Sequence, residues 1–354
     1  MTGGRPAARP AAGRERHPRR LWFALGLVLL APLCAEYLVG YLPGTGDPAE
    51  LAGGLVIFAP LYGAPALLIR ETARRAGLTW PGILALATAL GVVQAGVIDQ
   101  SLFSESYQDY AGWAEHRLPT LIEPLGVSAS DALGFLAGHV IWSFAVPIAL
   151  VEAVAGRSRP ARAPWLRTPG LVVTALLYAA AAWLVRQDHL RTEQDHASAA
   201  QLIGSLVVAA LLVAAAVTLG RRRRPGRERA VPGPVATALG TLAAATAFDM
   251  APETWPGVAL AAAILAAGAT AVAVFARSTR WSARHRVAVA TGALLAHAIT
   301  AFFVVPFGDV PKTAKYAHNL VFLAGAAALA GWAWRRSAPE VRPPAARSSG
   351  RAAR

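Results

Sequence analysis

Ten times along this chain an apolar run long enough to cross a bilayer is closed off by proline, glycine or a knot of charge. About 20 apolar residues in helical form match the hydrocarbon thickness of a membrane, so each run reads as a transmembrane helix. The expected spans are 21–42, 51–69, 80–103, 129–154, 169–185, 198–220, 234–250, 256–276, 287–305 and 319–334, the seventh being short and rich in threonine. The fold class expected is all-α, a polytopic membrane protein of about ten transmembrane helices. A composition of 55% hydrophobic and 15% charged residues, with mean hydropathy +0.43, excludes a soluble domain of 354 residues. Residues 1–20 and 337–354 read as disordered basic tails, because they are too poor in apolar residues to order themselves, which leaves 21–336 as the membrane domain. The longest connection, 104–128, carries Tyr107, Tyr110, Trp113, Leu118 and Leu121 among acids and reads as an interfacial helix or lid.

The formal charge of +14 would suggest a nucleic-acid partner in a soluble protein, so the location of the basic residues decides its meaning. Of 34 Lys and Arg residues, 29 fall in the two tails and in every second loop. By the positive-inside rule both termini then face the cytoplasm. The expected partners are membrane lipids and a small molecule or ion, with no nucleic acid. The bias to Ala, Arg, Gly and Pro suggests a bacterial GC-rich genome, hence the cytoplasmic membrane. Most of the ten tryptophans lie near span ends, and Trp142 is the deep exception. No small-x-small cleavage site follows Arg19-Arg20, so the first span reads as uncleaved. The single cysteine, Cys34, rules out an intramolecular disulfide and a cysteine-based zinc cluster.

Two apolar stretches share a skeleton around a histidine: 138–147, GHVIWSFAVP, and 296–306, AHAITAFFVVP. Ile follows the histidine at +2, Phe at +5 and Val at +7 in both. Thr79-Trp80-Pro81-Gly82 and Thr254-Trp255-Pro256-Gly257 open spans three and eight, and Leu171-Val172 with Trp183 and Arg186 matches Leu320-Val321 with Trp332 and Arg335. Each match pairs span n with span n+5. An odd-numbered unit duplicated in tandem emerges inverted, so an inverted repeat of 21–186 on 198–336 is one explanation. Chance matching among alanine-rich helices is the other.

Ionisable groups within a bilayer are costly, about 2.5–3.5 kcal/mol at a helix centre on insertion scales, and usually face a partner or a polar cavity. His139 and His297 each lie roughly 15 Å into their spans by helix rise. Glu36, Gln94, Asp99 and Gln100 lie toward the outer side, with Asp249 and His318-Asn319. The candidate substrate- or ion-binding residues are therefore His139, His297, Glu36, Asp99 and Gln94, with Glu36 and Asp99 some two thirds of the way across. Such a set binds a cation or takes up protons. The bland alternative is a neutral imidazole bonded to a neighbouring helix. No His-x-x-x-His or His-Glu-x-x-His spacing is present, so no metal site and no cofactor are expected.

In the elbow 69–75, IRETARR, Glu71 with Arg74 or Arg75 has the spacing of a surface ion pair. The same residues resemble the Glu-Glu-x-x-x-Arg motif of the membrane-embedded CAAX-protease and bacteriocin-processing family, with one glutamate where that family has two. That resemblance implies a hydrolase in which Glu71 works with His139 and His297. Tyr62 through Arg75, Trp80-Pro81-Gly82 and 99–103, DQSLF, are similar to a set of uncharacterised bacterial multi-pass proteins over about the first 110 residues. The ten-span, five-plus-five layout is similar to the drug/metabolite transporter superfamily. The leading expectation is a transporter-like protein rather than an enzyme. An intramembrane hydrolase or lipid-modifying enzyme using Glu71 or Glu36, or a structural membrane partner, stands as the alternative.

Overall fold

A computed structural model describes residues 19–107, 112–156, 163–221 and 226–338. The two expected disordered tails lie almost wholly outside the described residues. The described residues contain ten long helices: α1 (Arg20–Tyr37), α2 (Pro48–Ala76), α3 (Trp80–Ile98), α4 (Ala129–Ala155), α5 (Thr168–Thr192), α6 (Ala199–Gly220), α7 (Pro234–Asp249), α8 (Trp255–Phe275), α9 (Ala283–Phe303) and α10 (Lys312–Arg336). All but α7 are long and apolar enough to cross a membrane, so the described residues contain nine candidate spans.

The helix starts follow local chemistry. Asp47 caps α2 by accepting from the Ala49 and Glu50 amides at 2.8 and 3.2 Å, with Pro48 in the first turn where a missing N–H costs nothing. Ser198 and Gln201 form a capping box at α6. Several ends differ from expectation. The elbow is no loop, because α2 runs on through Arg70–Arg75 to a left-handed cap at Gly77. Helices α1 and α3 stop near Tyr37 and Ile98, earlier than 42 and 103, because Gly40 and Gln100 take φ of +64° and +54°. Gln100 is the one described non-glycine residue with positive φ, a conformation that costs an L-residue energy. Asp99 therefore sits at the end of its helix and not two thirds along it. Helix α10 starts before Asn319 because Lys315, on its first turns, donates to the Phe302 and Val304 carbonyls.

Helix α4 stands between two cores. Phe144 and Ile148 pack with Leu27, Leu61, Leu67 and Ile83 of α1, α2 and α3. Val146 and Leu150 pack with Val287 and Leu294 of α9 and Ala326 of α10. Helix α6 runs antiparallel to α3, with Gly82 beside Gly220 and Gly96 beside Ser205. Helix α7, only 16 residues long, runs parallel to α9. His285 bonds the Pro232 carbonyl before its start at 3.0 Å, and Thr300 donates to Asp249 at its end at 2.8 Å. It therefore traverses the same depth as most of α9. By contrast α5 and α8 bury only 6% of their apolar windows, against 56% for α3 and α9. Leu176, Leu177 and Leu260 are exposed on them, as lipid-facing residues are.

Helix α1 packs on α4 and α6 packs on α3, whereas α8 packs on α7 and the start of α4. Residues 104–128 hold a short helix, Trp113–Arg117, and a hairpin of β1 (Leu121–Ile122) with β2 (Val127–Ser128). This cap is tied down by Gln201 donating to the Leu125 carbonyl at 2.9 Å and by His116 against Glu253 at 3.1 Å. Burial raises the Glu253 carboxyl above its ordinary range, while His116 pulls it back. The expected Tyr110 lies outside the described residues.

Candidate functional site

Four helices widen into a π turn: Leu33–Tyr37 in α1, Ala59–Gly63 in α2, Gln94–Ile98 in α3 and His139–Ala145 in α4. No π turn occurs among the described residues of the other six. Such a turn closes its hydrogen bond one residue later than an α turn, as Leu38 to Leu33 and Asp99 to Gln94 do here at 2.9 and 3.1 Å. The extra residue re-aims the side chains around it, and π turns recur at functional sites for that reason. Each of the four carries a polar group into one region: Glu36, Tyr62, Gln94 with the adjoining Asp99, and His139.

Glu36 is buried and receives the Tyr41 hydroxyl on Oε2, with the Tyr62 phenol in reach of the same carboxylate. The Tyr62 ring stacks on His139 with centroids 6.0 Å apart and planes 24° from parallel. His139 Nδ1 lies 3.4 Å from Ser143 Oγ, one turn on in the same π segment. Asp99 accepts from Gln94 Nε2 and from the Ser101 amide, both at 3.0 Å. Asp99 lies near enough to Glu36, Tyr41, Tyr62, Tyr107, His139 and Tyr178 to share their electrostatic surroundings. Among the described residues neither Glu36 nor Asp99 forms an ion pair with Lys or Arg. Arg186 of α5 donates to the Val97 carbonyl at 2.5 Å instead. The buried Tyr178 hydroxyl and Gln100 Nε2 have no protein partner among the described residues.

Four of the five residues proposed from sequence thus come together: Glu36, Gln94, Asp99 and His139. His297 stands in a neighbouring constellation. Its ring lies on the Trp142 indole, 4.2 Å between centroids and 16° from parallel, and its Nδ1 faces Asp249 at 3.4 Å. Trp142 itself donates to the Ala293 carbonyl at 3.0 Å. The two histidines therefore meet successive residues of one π turn in α4, His297 on Trp142 and His139 on Ser143, and His297 has Asp249 as its carboxylate. Tyr41, Tyr62, Tyr107 and Tyr178 escape a reading from sequence, since tyrosine is common at membrane interfaces. His318 Nε2 donates to the Tyr37 carbonyl, 2.7 Å away, and Asn319 donates to the Ala301 carbonyl, so both brace helix ends.

Glu71 lies at the other end of the molecule. It is fully buried, accepts from Arg70 at 2.6 Å and from the Trp165 and Leu166 amides at 2.8 and 3.1 Å. Arg70 lies over the Trp165 ring at 3.6 Å and bonds Glu152, which Arg74 also grips through two nitrogens. The Glu71–Arg75 ion pair expected from the spacing is present at 3.8 Å, but its carboxylate is buried within a network that clamps α2 to α4 and to the chain before α5. Neither His139 nor His297 is among Glu71's partners, so the three groups of the hydrolase reading do not meet. No group of three or more His, Cys, Asp or Glu among the described residues is placed to hold a metal ion.

Residues 25–342 match the model of an uncharacterized membrane protein family. No curated protein and no solved structure matches the chain.

Proposed function

Because the chain belongs to that uncharacterized membrane protein family, whose description names no activity, we propose a function from its own geometry: a transporter-like protein whose Glu36 and Asp99 bind a cation or protons. The observation that supports this reading is the pair of carboxylates set among π turns with no Lys or Arg partner among the described residues. A carboxylate within a membrane protein is stable when it is protonated or joined by a cation. Tyr41, Tyr62, Tyr107 and Tyr178 around Asp99 add aromatic faces and hydroxyls, a lining suited to a small organic cation. His139 and Gln94 complete this site, and His297 with Asp249 is a second proton-accepting pair on the far side of Trp142. The asymmetry of basic residues supports placement in the cytoplasmic membrane with both termini inside, which puts the Glu36 and Asp99 end toward the outer face. The five-plus-five inverted repeat is not needed for this reading.

Proteoliposomes loaded with a pH-reporting dye and offered tetraethylammonium or tetraphenylphosphonium test it. The wild-type chain is expected to move protons or probe faster than empty liposomes, and Glu36→Gln with Asp99→Asn to cut that flux about tenfold or more. Equal flux in the double variant and the wild type sinks the reading, as does a wild type that moves neither protons nor probe.

A further inference from the structure

A cavity of about 480 Å³ opens at the basic end of the molecule, remote from Glu36 and Asp99. It lies where α2 and α4 end, α3 and α9 begin and α10 ends. Three helix ends and two helix starts face it, so their dipoles largely offset with a small negative excess, and the side chains decide its charge. Three arginines line it, Arg74, Arg286 and Arg336, against one acid, Glu152. Glu152 is held by Arg70 and by two nitrogens of Arg74, which commits Arg74 to that acid and makes Arg286 and Arg336 the positive excess of the lining. Arg336 is anchored through Nε on the Val154 carbonyl at 3.2 Å, which leaves the fork of its guanidinium toward the cavity mouth, 3.8 Å from where a Cβ on Gly156 would stand. Trp80, Trp281 and Leu78 supply an apolar wall.

We infer that this cavity is a binding site for a phosphate-bearing molecule. Guanidinium forks match tetrahedral oxyanions in geometry and stay charged at any physiological pH. The volume falls in the range of small-molecule sites and exceeds what one phosphate group fills. The aromatic and aliphatic wall would take the organic part of the molecule. The arginines belong to separate helices, and Arg74 is held in place by the buried clamp, so the site is built before a ligand arrives. This inference does not depend on the transport reading, which concerns the opposite end.

A phosphate group can arrive on a free solute or on a lipid head, and the same variants separate the two. Full-length protein is titrated with inorganic phosphate while its thermal unfolding is followed. In parallel it is placed in nanodiscs of phosphatidylcholine with phosphatidylglycerol, and the lipid retained on extraction is counted by native mass spectrometry. The test variant is Arg286→Gln with Arg336→Gln. The control is Arg284→Gln with Arg335→Gln, an equal charge change on the same two helices by residues that do not line the cavity. The expected result is a loss of affinity of about tenfold or more in the test variant and none in the control. Loss in the phosphate arm identifies a free solute, and loss of retained phosphatidylglycerol identifies a lipid. If test and control variants behave alike in both arms, the inference is overturned.

Discussion

At position 71 a carboxylate with no exposed surface accepts three hydrogen bonds, from the Arg70 side chain and from the Trp165 and Leu166 amides. Replacing it with alanine leaves a fully buried guanidinium at Arg70 short of one partner and two amides short of theirs. Glu71→Ala is expected to destabilise the protein by about 3–5 kcal/mol, because breaking a buried pair strands the remaining charge. Glu228→Gln, which removes an exposed partner of Arg280, is expected to change little. Thermal unfolding midpoints in one detergent check both. The contrast also marks how far single residues are legible. Glu36, Gln94, Asp99 and His139 stand out in the sequence because a polar group in an apolar run must be accounted for. Glu71 reads as a surface ion pair because the spacing to Arg74 and Arg75 is local, whereas the peptide that covers it, 165–166, arrives from more than 90 residues away.

At the level of the helix, existence is easy to read and ends are not. Residues 38–42, LVGYL, continue the apolar run of α1 beyond its π turn, so hydropathy carries no mark of where the helix stops. The turn residue Gly40 is the one local signal. The π turns leave no sequence signature of their own, since they are set by packing among α1 to α4. The short, threonine-rich α7 shows the opposite case, a helix weak by composition and secured by its neighbour. A Cβ on Gly292 of α9 would stand 2.5 Å from the Ala238 carbonyl oxygen and 2.8 Å from the Thr241 Cβ. Only glycine lets these two backbones touch. Gly292→Val is expected to force α7 and α9 apart at a cost of about 1–3 kcal/mol or more. The contact of His297 with Asp249, which joins these two helices, would lengthen, and a lower unfolding midpoint together with altered fluorescence of Trp142, which stacks on His297, would report it. Unchanged values for both would mean that α7 does not bear on α9 as described.

Over the whole molecule, α1 to α4 enclose one core and α4, α9 and α10 another, while α5 and α8 show lipid-facing apolar surfaces. The class is legible in the apolar runs, and the arginines carry an expectation of orientation. The sequence does not announce that α4 is the shared wall, because which helices touch depends on long-range packing. The two histidine stretches look like equivalents by spacing, yet both histidines come to bear on one turn of one helix, so similarity of residues is no guide to their partners. The charge asymmetry predicts that reporters fused to the amino and carboxyl termini both register the cytoplasm, and that one inserted at 252–253, between α7 and α8, registers the opposite side. A split result for the two termini would reverse the crossing of an odd number of helices.

Cys34 has a practical consequence at this largest scale. It is the sole thiol of the chain, 2% exposed and enclosed by Leu38, Val146 and Leu294. Aqueous maleimides are therefore expected to leave the folded wild type unlabelled. A single cysteine introduced beside Asp99, or at the mouth of the arginine-lined cavity, therefore reports alone. Spin labels or fluorophores can be attached at either end without first mutating the native chain.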